Sequence, residues 1–361
     1  MVRHSEADAA FRHDADVGAD GRKRLGDRCV DAAVDEPHRL KQVLAHRNVS
    51  AHELGGRLVD LEPVVAVERR RLDFPHVSQS VKLRAEVNIG VGLPTTVPSA
   101  TGELLLEWAR RADAGPFSSV AVLDRVAYDS YEPFAALAGA AAATSRVRLA
   151  TMIAIGPLRS TALLAKQAAS VHGLSGGRLT LGLAVGARTE DFDVAGVEHK
   201  DRGKRLGEQL AYIRGNVDGD RVGPSRAGIE ILVGGLSGQA FARMARYADG
   251  YAHNGGPPRA FANAAGRALA AWSDLGRPGK PKLWGQGYFA FGDAGRGDAY
   301  LLDYYAFTGP FAEKIAAGNL TSARAVKDYV RGYEEAGCDE LVLFPTVADV
   351  EELERLQEAL A

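Results

Sequence analysis

The sequence predicts a (β/α)8 barrel, and three observations support this. From Val87 onward, short apolar β-rich runs alternate with helical patterns, as parallel strands joined by crossover helices require. Eight such units fit into about 275 residues, the usual size of the fold. The GxGxxG fingerprint of an open, doubly wound dinucleotide fold is missing after the first strand, where Gly90 and Gly92 are followed by Leu93-Pro94-Thr95-Thr96.

The elements follow in order. Val87 to Gly92 is the first strand, and the helix near Gly102 to Ala112 carries Leu104, Leu105, Trp108 and Ala112 on one face. Ser118 to Asp124 is the second strand, before an alanine-rich helix over Pro133 to Thr144. Val147 to Ala154 is third, with a helix around Arg159 to Val171, and Arg178 to Gly186 is fourth, with a polar loop and a helix near Asp201 to Arg214. Ile229 to Gly234, Gly250 to Ala252, Lys282 to Phe291 and Glu340 to Phe344 complete the set, with helices between them and Val350 to Leu360 closing the chain.

Residues 86–361 therefore read as one barrel domain. Residues 1–85 read differently: they hold 6 of the 9 histidines but only 2 of the 26 aromatic residues, Phe11 and Phe74. Such a stretch buries little apolar surface, so it reads as a disordered extension. A regulatory or metal-binding arm and a start codon placed too far upstream are the other readings.

With 361 residues, 46% of them hydrophobic, and a formal net charge of −2, the chain can bury a large core and shows no bias toward nucleic acid or membranes. Cys29 and Cys338 make neither a disulfide framework nor a metal site by themselves, and no metal is expected. No apolar run reaches the roughly 20 residues that span a bilayer, and no signal-peptide core opens the chain. A cytoplasmic location is the expectation.

In such a barrel the active site lies just past the C-terminal ends of the strands. That rule selects Leu93 to Thr96, Asp124 and Arg125, Thr151 to Ile155, Gly186 to Asp191, Gly234 to Ser237, His253 and Asn254, Tyr288, and Phe344 to Thr346. The segment IEILVGGLSGQAFARMARYADGY (229–251) stands out, because two glycines there lead from a buried strand into a helix. Backbone amides free of Cβ hindrance at a helix N-terminus favour an anion. A tight connection is the alternative reading of the same pair.

That segment, together with EPFAALAGAAAATSRVRLATMIAIGPLRSTALLAKQAASVHGLSGGRLTLGLAVGAR (132–188), resembles the bacterial luciferase-like superfamily of flavin- and deazaflavin-dependent oxidoreductases. LAKQAAS and LSGGRLTLGL are its most specific parts. The resemblance implies a luciferase-like TIM barrel that binds FMN or coenzyme F420, with Thr151, Met152, Gly234, Gly235, Leu236, Ser237, His253 and Asn254 as cofactor-binding residues. It places a bulge with a non-prolyl cis peptide near Thr151 to Ile153. It implies hydride transfer to or from a small-molecule substrate, or monooxygenation with a partner flavin reductase, and it is compatible with a homodimer. The alternative is a flavin-binding paralogue that has lost catalysis. The His and Glu used by sugar-phosphate dehydrogenases of the superfamily are replaced by Asp124-Arg125 and Gly186-Ala187, and only Gly215 to Gly228 stand where larger members carry a long insertion.

The candidate catalytic residues are Asp124, Arg125, Arg188 and His253, and the expected pocket mouth adds Thr96 and Thr151. Arg125 reads equally as an anion ligand or as an ion pair with Asp124 or Glu132. Arg188, in an RTED segment, reads also as part of a solvated loop, and His253 as an incidental loop histidine. His172 reads as a helix cap, and Arg202 and Arg205 as framework ion pairs. Because residues 1–80 cannot build a core, a chain beginning at Val81 should melt within a few degrees of the full chain; a large loss on truncation would contradict this composition argument.

Overall fold

The computed structural model describes residues 86–215 and 222–361, and the expectations for residues 1–85 lie outside this described part. Eight parallel strands close into a barrel in sequence order: β1 Asn88–Gly92, β2 Ser119–Val122, β3 Arg148–Ile155, β4 Leu179–Ala184, β5 Glu230–Gly234, β6 Gly250–Ala252, β7 Lys282–Phe289 and β8 Glu340–Pro345. β8 returns to β1 with Asn88 opposite Glu340, which closes the ring. Each strand lies within about two residues of its sequence-predicted span. β4 stops at Ala184 rather than Gly186, where Gly186 turns to a positive φ of 77°.

The helices α1 Gly102–Ala114, α2 Pro133–Ala143, α3 Thr161–Leu174, α4 Thr189–Val194, α5 Arg202–Arg214, α6 Gly238–Tyr247, α7 Pro258–Asp274, α8 Ala294–Tyr304, α9 Phe311–Ala316, α10 Ala323–Glu335 and α11 Glu351–Leu360 connect the strands. Local sequence sets their starts. Thr101, Ser160, Ser237 and Ser322 each accept a backbone N–H of the first turn, and Pro133 opens α2 behind the capping carboxylate of Glu132. His172 lies in the last turn of α3, as expected of a capping position.

Strand alternation divides the core in two. Val120, Leu149, Leu179, Leu181, Ile231 and Leu341 pack outward under Trp108, Leu164, Leu210 and Phe261 of the helices. Ala121, Ala150, Met152, Leu232, Trp284, Val342 and Phe344 fill the lumen. β3 departs from this alternation, because its register with β4 slips by one residue between Thr151 and Ala154. Both Met152 and Ile153 consequently join the lumen set, and the peptide between them is cis, where the sequence resemblance placed such a bond. Gly182 sits opposite, and a Cβ there would collide with the carbonyl oxygen of Thr151.

Gly182→Ala should therefore lower stability by about 1–3 kcal/mol, seen as a lower denaturant midpoint at constant slope. An unchanged midpoint would mean that the β3 backbone yields at this point.

Candidate active site

The C-terminal rim sorts into residues that face the lumen and residues that face the helices. Leu123, Met152, Ile153, Tyr288 and Phe344 face inward with Ala252. Gly234 has Ala184, Ile153 and the Ala252 carbonyl within 3.6 Å of where a Cβ would stand, so this side of the mouth is lined by small groups that a side chain at position 234 would fill. Gln286 is also buried here, and its amide lies 3.3 Å from the Asn254 carbonyl oxygen and 3.5 Å from the Tyr288 hydroxyl.

Asp124, Thr151 and His253 reach the same end of the barrel but point into its wall. The Asp124 carboxylate is fully enclosed and accepts from Arg159 at 2.6 and 3.2 Å and from the Ile155 amide at 2.7 Å. Burial pushes its carboxyl upward, against the pull of Arg159. The Thr151 hydroxyl donates to the Gly182 carbonyl at 2.7 Å. The His253 ring stands edge-on to Phe261 of α7, with centroids 5.6 Å apart, and its buried Nδ1 has no partner. Burial lowers its pKa to about 4, so the ring is neutral at pH 7. The expected mouth of Thr96, Asp124, Arg125, Thr151, Arg188 and His253 is thus one rim but two surfaces.

Arg125 is buried and ion-paired, but not with the acids the sequence suggested. Asp124 and Glu132 are both taken by Arg159, and Arg125 instead holds Asp191 at 3.0 Å and Glu190 at 3.2 Å from α4. Arg188 has a different environment. Its guanidinium carbon lies 4.2 Å from the Phe307 ring centre, 4.6 Å from that of Tyr304 and 5.5 Å from that of Tyr305, and one nitrogen donates to the Tyr304 carbonyl at 3.0 Å. Arg125 shares the Tyr304 ring at 5.5 Å, which brings the two arginines together over α8.

Sequence reasoning missed this aromatic cap. Tyr300 and Tyr304 of α8, with Tyr305 after it, close over the lumen residues. Tyr300 bonds Thr96 at 2.6 Å, Tyr305 bonds Tyr288 at 2.5 Å, and Asp303 accepts from Tyr128 at 2.7 Å. Burial raises the pKa of all five tyrosines, which are neutral donors at pH 7. The four-residue spacing of Tyr300 and Tyr304 was the available signal.

The rim amides have distinct fates. After β2, Asp191 accepts from the amides of Val126 and Ala127 at 2.9 and 2.8 Å. After β7, the fully buried Glu352 accepts from Phe291 and Gly292, both at 2.5 Å. Barrels commonly bind phosphate in that neighbourhood, and here a carboxylate of the chain itself occupies those donors. After β5 no such carboxylate arrives. Among the described residues, the N–H groups of Gly235, Leu236, Ser237, Gly238 and Gln239 donate to nothing in the chain; Ser237 caps only Ala240. Residues 236–239 are exposed, as is Asn254, and Tyr251 fixes the loop by donating to the Gly235 carbonyl at 3.1 Å. Gly235 has a φ of 120°, and a Cβ would come within 2.9 Å of Ala240, so the turn itself requires glycine whatever binds there.

The chain is a closed (β/α)8 barrel with polar and aromatic groups gathered at its C-terminal rim, the face where barrel enzymes carry their active sites. This chain belongs to the luciferase-like monooxygenase family, whose sequence profile matches residues 87–337. An uncharacterised protein of Mycobacterium tuberculosis is 33% identical over an alignment of 187 residues that covers 42% of this chain and 65% of that one, so the match spans less than two-thirds of the relative's length. An F420-dependent secondary alcohol dehydrogenase solved with an F420-acetone adduct shares the fold, with a TM-score of 0.63 at 17% identity over 76% of this chain and 98% of that chain. So does the oxygenating constituent of 3,6-diketocamphane monooxygenase from Pseudomonas putida in complex with FMN, with a TM-score of 0.56 at 14% identity over 76% and 96%. Among the described residues no helix is long and apolar enough to cross a membrane.

The buried His253 gives a pH signature. Its folded pKa of about 4 lies below the ordinary 6.5, so the unfolded chain takes up the proton first and stability is lost as pH falls between those values. Relative to His253→Gln, the protein should lose roughly 3 kcal/mol at most from pH 7 to pH 4, measured by urea unfolding at a series of pH values. A flat difference would mean that the ring is solvated or charged in the fold.

Proposed function

We propose that this chain is an oxidoreductase that transfers hydride between FMN or coenzyme F420 and a small organic substrate, with the coenzyme phosphate on the β5–α6 turn and the substrate under the α8 cap. One observation carries the reading: the run of unpartnered amides at Gly235 to Gln239, at a strand end of a rim whose β2 and β7 amides are occupied by Asp191 and Glu352. Those donors point from the start of a ten-residue helix, where roughly half a positive charge accumulates. Asn254, after β6, is exposed at the same rim. Ala184, Gly234 and Ala252 keep this side of the mouth free of bulky side chains next to Ile153.

The coenzyme supplies the redox chemistry when bound, and the protein supplies placement and a dry surround. Asp124, committed to Arg159, supports the wall rather than moving a proton, and Thr151 braces the β3 bulge. The aromatic cap excludes water from the lumen side. The F420 and FMN named for the two fold relatives support this coenzyme class. In a monooxygenase reading, a separate reductase would deliver reduced flavin.

Gly238 separates binding from folding. It is exposed, nothing lies within 4 Å of its missing Cβ, and an acidic side chain in a first helical turn is itself favourable. Gly238→Glu should melt no lower than the unaltered protein, yet bind FMN or F420 at least about tenfold more weakly, or roughly 1.4 kcal/mol, in titrations that follow coenzyme fluorescence. Undiminished affinity in a folded Gly238→Glu protein would remove the phosphate from this turn. Absence of binding by both coenzymes to the unaltered chain would end the proposal.

A further inference from the structure

We propose that Arg188 anchors a carboxylate on the substrate, so that the enzyme acts on a small organic acid. The inference rests on the substrate lying at the barrel mouth, as proposed above, and it starts from how the cations of the rim are compensated. A buried guanidinium needs a carboxylate or a set of carbonyl oxygens, the latter serving the half-buried Arg178, Arg205 and Arg277 of this chain. Arg159 has Asp124 and Glu132, and Arg125 has Asp191 and Glu190. Arg188, half-buried beside them, forms no ion pair among the described residues.

The geometry around Arg188 is that of a held ligand group rather than a free surface arginine. Three aromatic faces, Tyr304, Tyr305 and Phe307, fix the plane of the guanidinium. One nitrogen is tied to the Tyr304 carbonyl at 3.0 Å, while the buried Nε has no acceptor. Asp303, the acid on the same cap, accepts from Tyr128 at 2.7 Å and makes no ion pair with Arg188. Tyr304, whose hydroxyl burial keeps protonated, adds a neutral group to the same cluster. A planar cation with unused N–H groups, backed by aromatic rings, matches the two oxygens of a carboxylate and an apolar body attached to it. Arg125 cannot serve in this way, because its two acids already satisfy it.

The same chemistry could come from the substrate or from an anionic tail of the coenzyme, and the test separates the two. Phenylacetate and its neutral isostere phenylacetamide are titrated calorimetrically into the full-length protein, with and without saturating coenzyme, and into Arg188→Met and Arg188→Lys. We expect phenylacetate to bind at least tenfold tighter than phenylacetamide, Arg188→Met to abolish that preference while leaving phenylacetamide binding, melting temperature and coenzyme affinity unchanged, and Arg188→Lys to restore part of it. Equal binding of acid and amide, or an acid preference that survives in Arg188→Met, would overturn the proposal. A loss of coenzyme affinity in Arg188→Met would assign the arginine to the coenzyme and also overturn it. Gly238→Glu provides the converse control: it should weaken the coenzyme and spare the acid preference, so failure of the phosphate cradle and failure of the carboxylate anchor give different results.

Discussion

A backbone N–H at the end of a barrel strand must find an acceptor in the protein, in water or in a ligand, because leaving it unpaired costs about as much as a lost hydrogen bond. After β1, β6 and β8 this chain meets the requirement with backbone carbonyls, as for Leu93, His253 and Thr346, and after β2, β3 and β7 with its own carboxylates. Asp124 serves Ile155, Asp191 serves Val126 and Ala127, and Glu352 serves Phe291 and Gly292. Each of those acids is also held by an arginine, Arg159, Arg125 or Arg355, so the rim is stiffened by closed charge and amide networks. The β5–α6 turn is built differently. Its donors meet no acceptor among the described residues, residues 236–239 are exposed, and Gly235 holds the turn in a conformation that other residues resist. In the proposed reading, the anion is directed to this turn less by what the turn contains than by what the other strand ends have already used.

The barrel was legible in the sequence because period-two apolar runs and 3.6-residue helical stripes recur eight times, and burial enforces both patterns. The rule of strand ends placed the candidate residues together at the C-terminal end of the barrel, where the structure has them. It could not say which of them face the lumen. Parity decides that, and β3 changes parity at its bulge, turning Met152 and Ile153 inward together and leaving Thr151 to bond Gly182 in the wall. No residue type in the VRLATMIA run signals the slip; the glycine that permits it, Gly182, lies on the neighbouring strand. His253 shows the same limit. Its place after β6 is evident from the chain, whereas its packing on Phe261 depends on the angle at which α7 returns.

The aromatic cap was hidden for another reason. The segment between β7 and β8 contains three helices, α8, α9 and α10, where one crossover helix suffices for the fold. α10 makes the crossover, while α8 turns its tyrosines over the lumen and pairs with residues more than a hundred positions away, such as Thr96 and Tyr128. Long-range side-chain pairs of this kind leave no local pattern beyond the four-residue spacing on α8.

Arg125 and Arg188 show why charge partners are the least legible part of such a site. In sequence, Glu190 and Asp191 follow Arg188 with only Thr189 between, and a solvated loop is the economical reading. In the fold, α4 starts at Thr189 and points both acids back toward β2, where Asp191 meets Arg125 and two amides at once. A carboxylate with three buried donors at short distance gains more than one pairing with a single exposed neighbour, because desolvation strengthens every bond in the set. Arg188 loses its sequence neighbours to that network and is left to the aromatic faces of the cap. Its charge, without an ion pair among the described residues, is therefore a consequence of how the β2 loop is satisfied, and it lies against the aromatic rings that close the lumen.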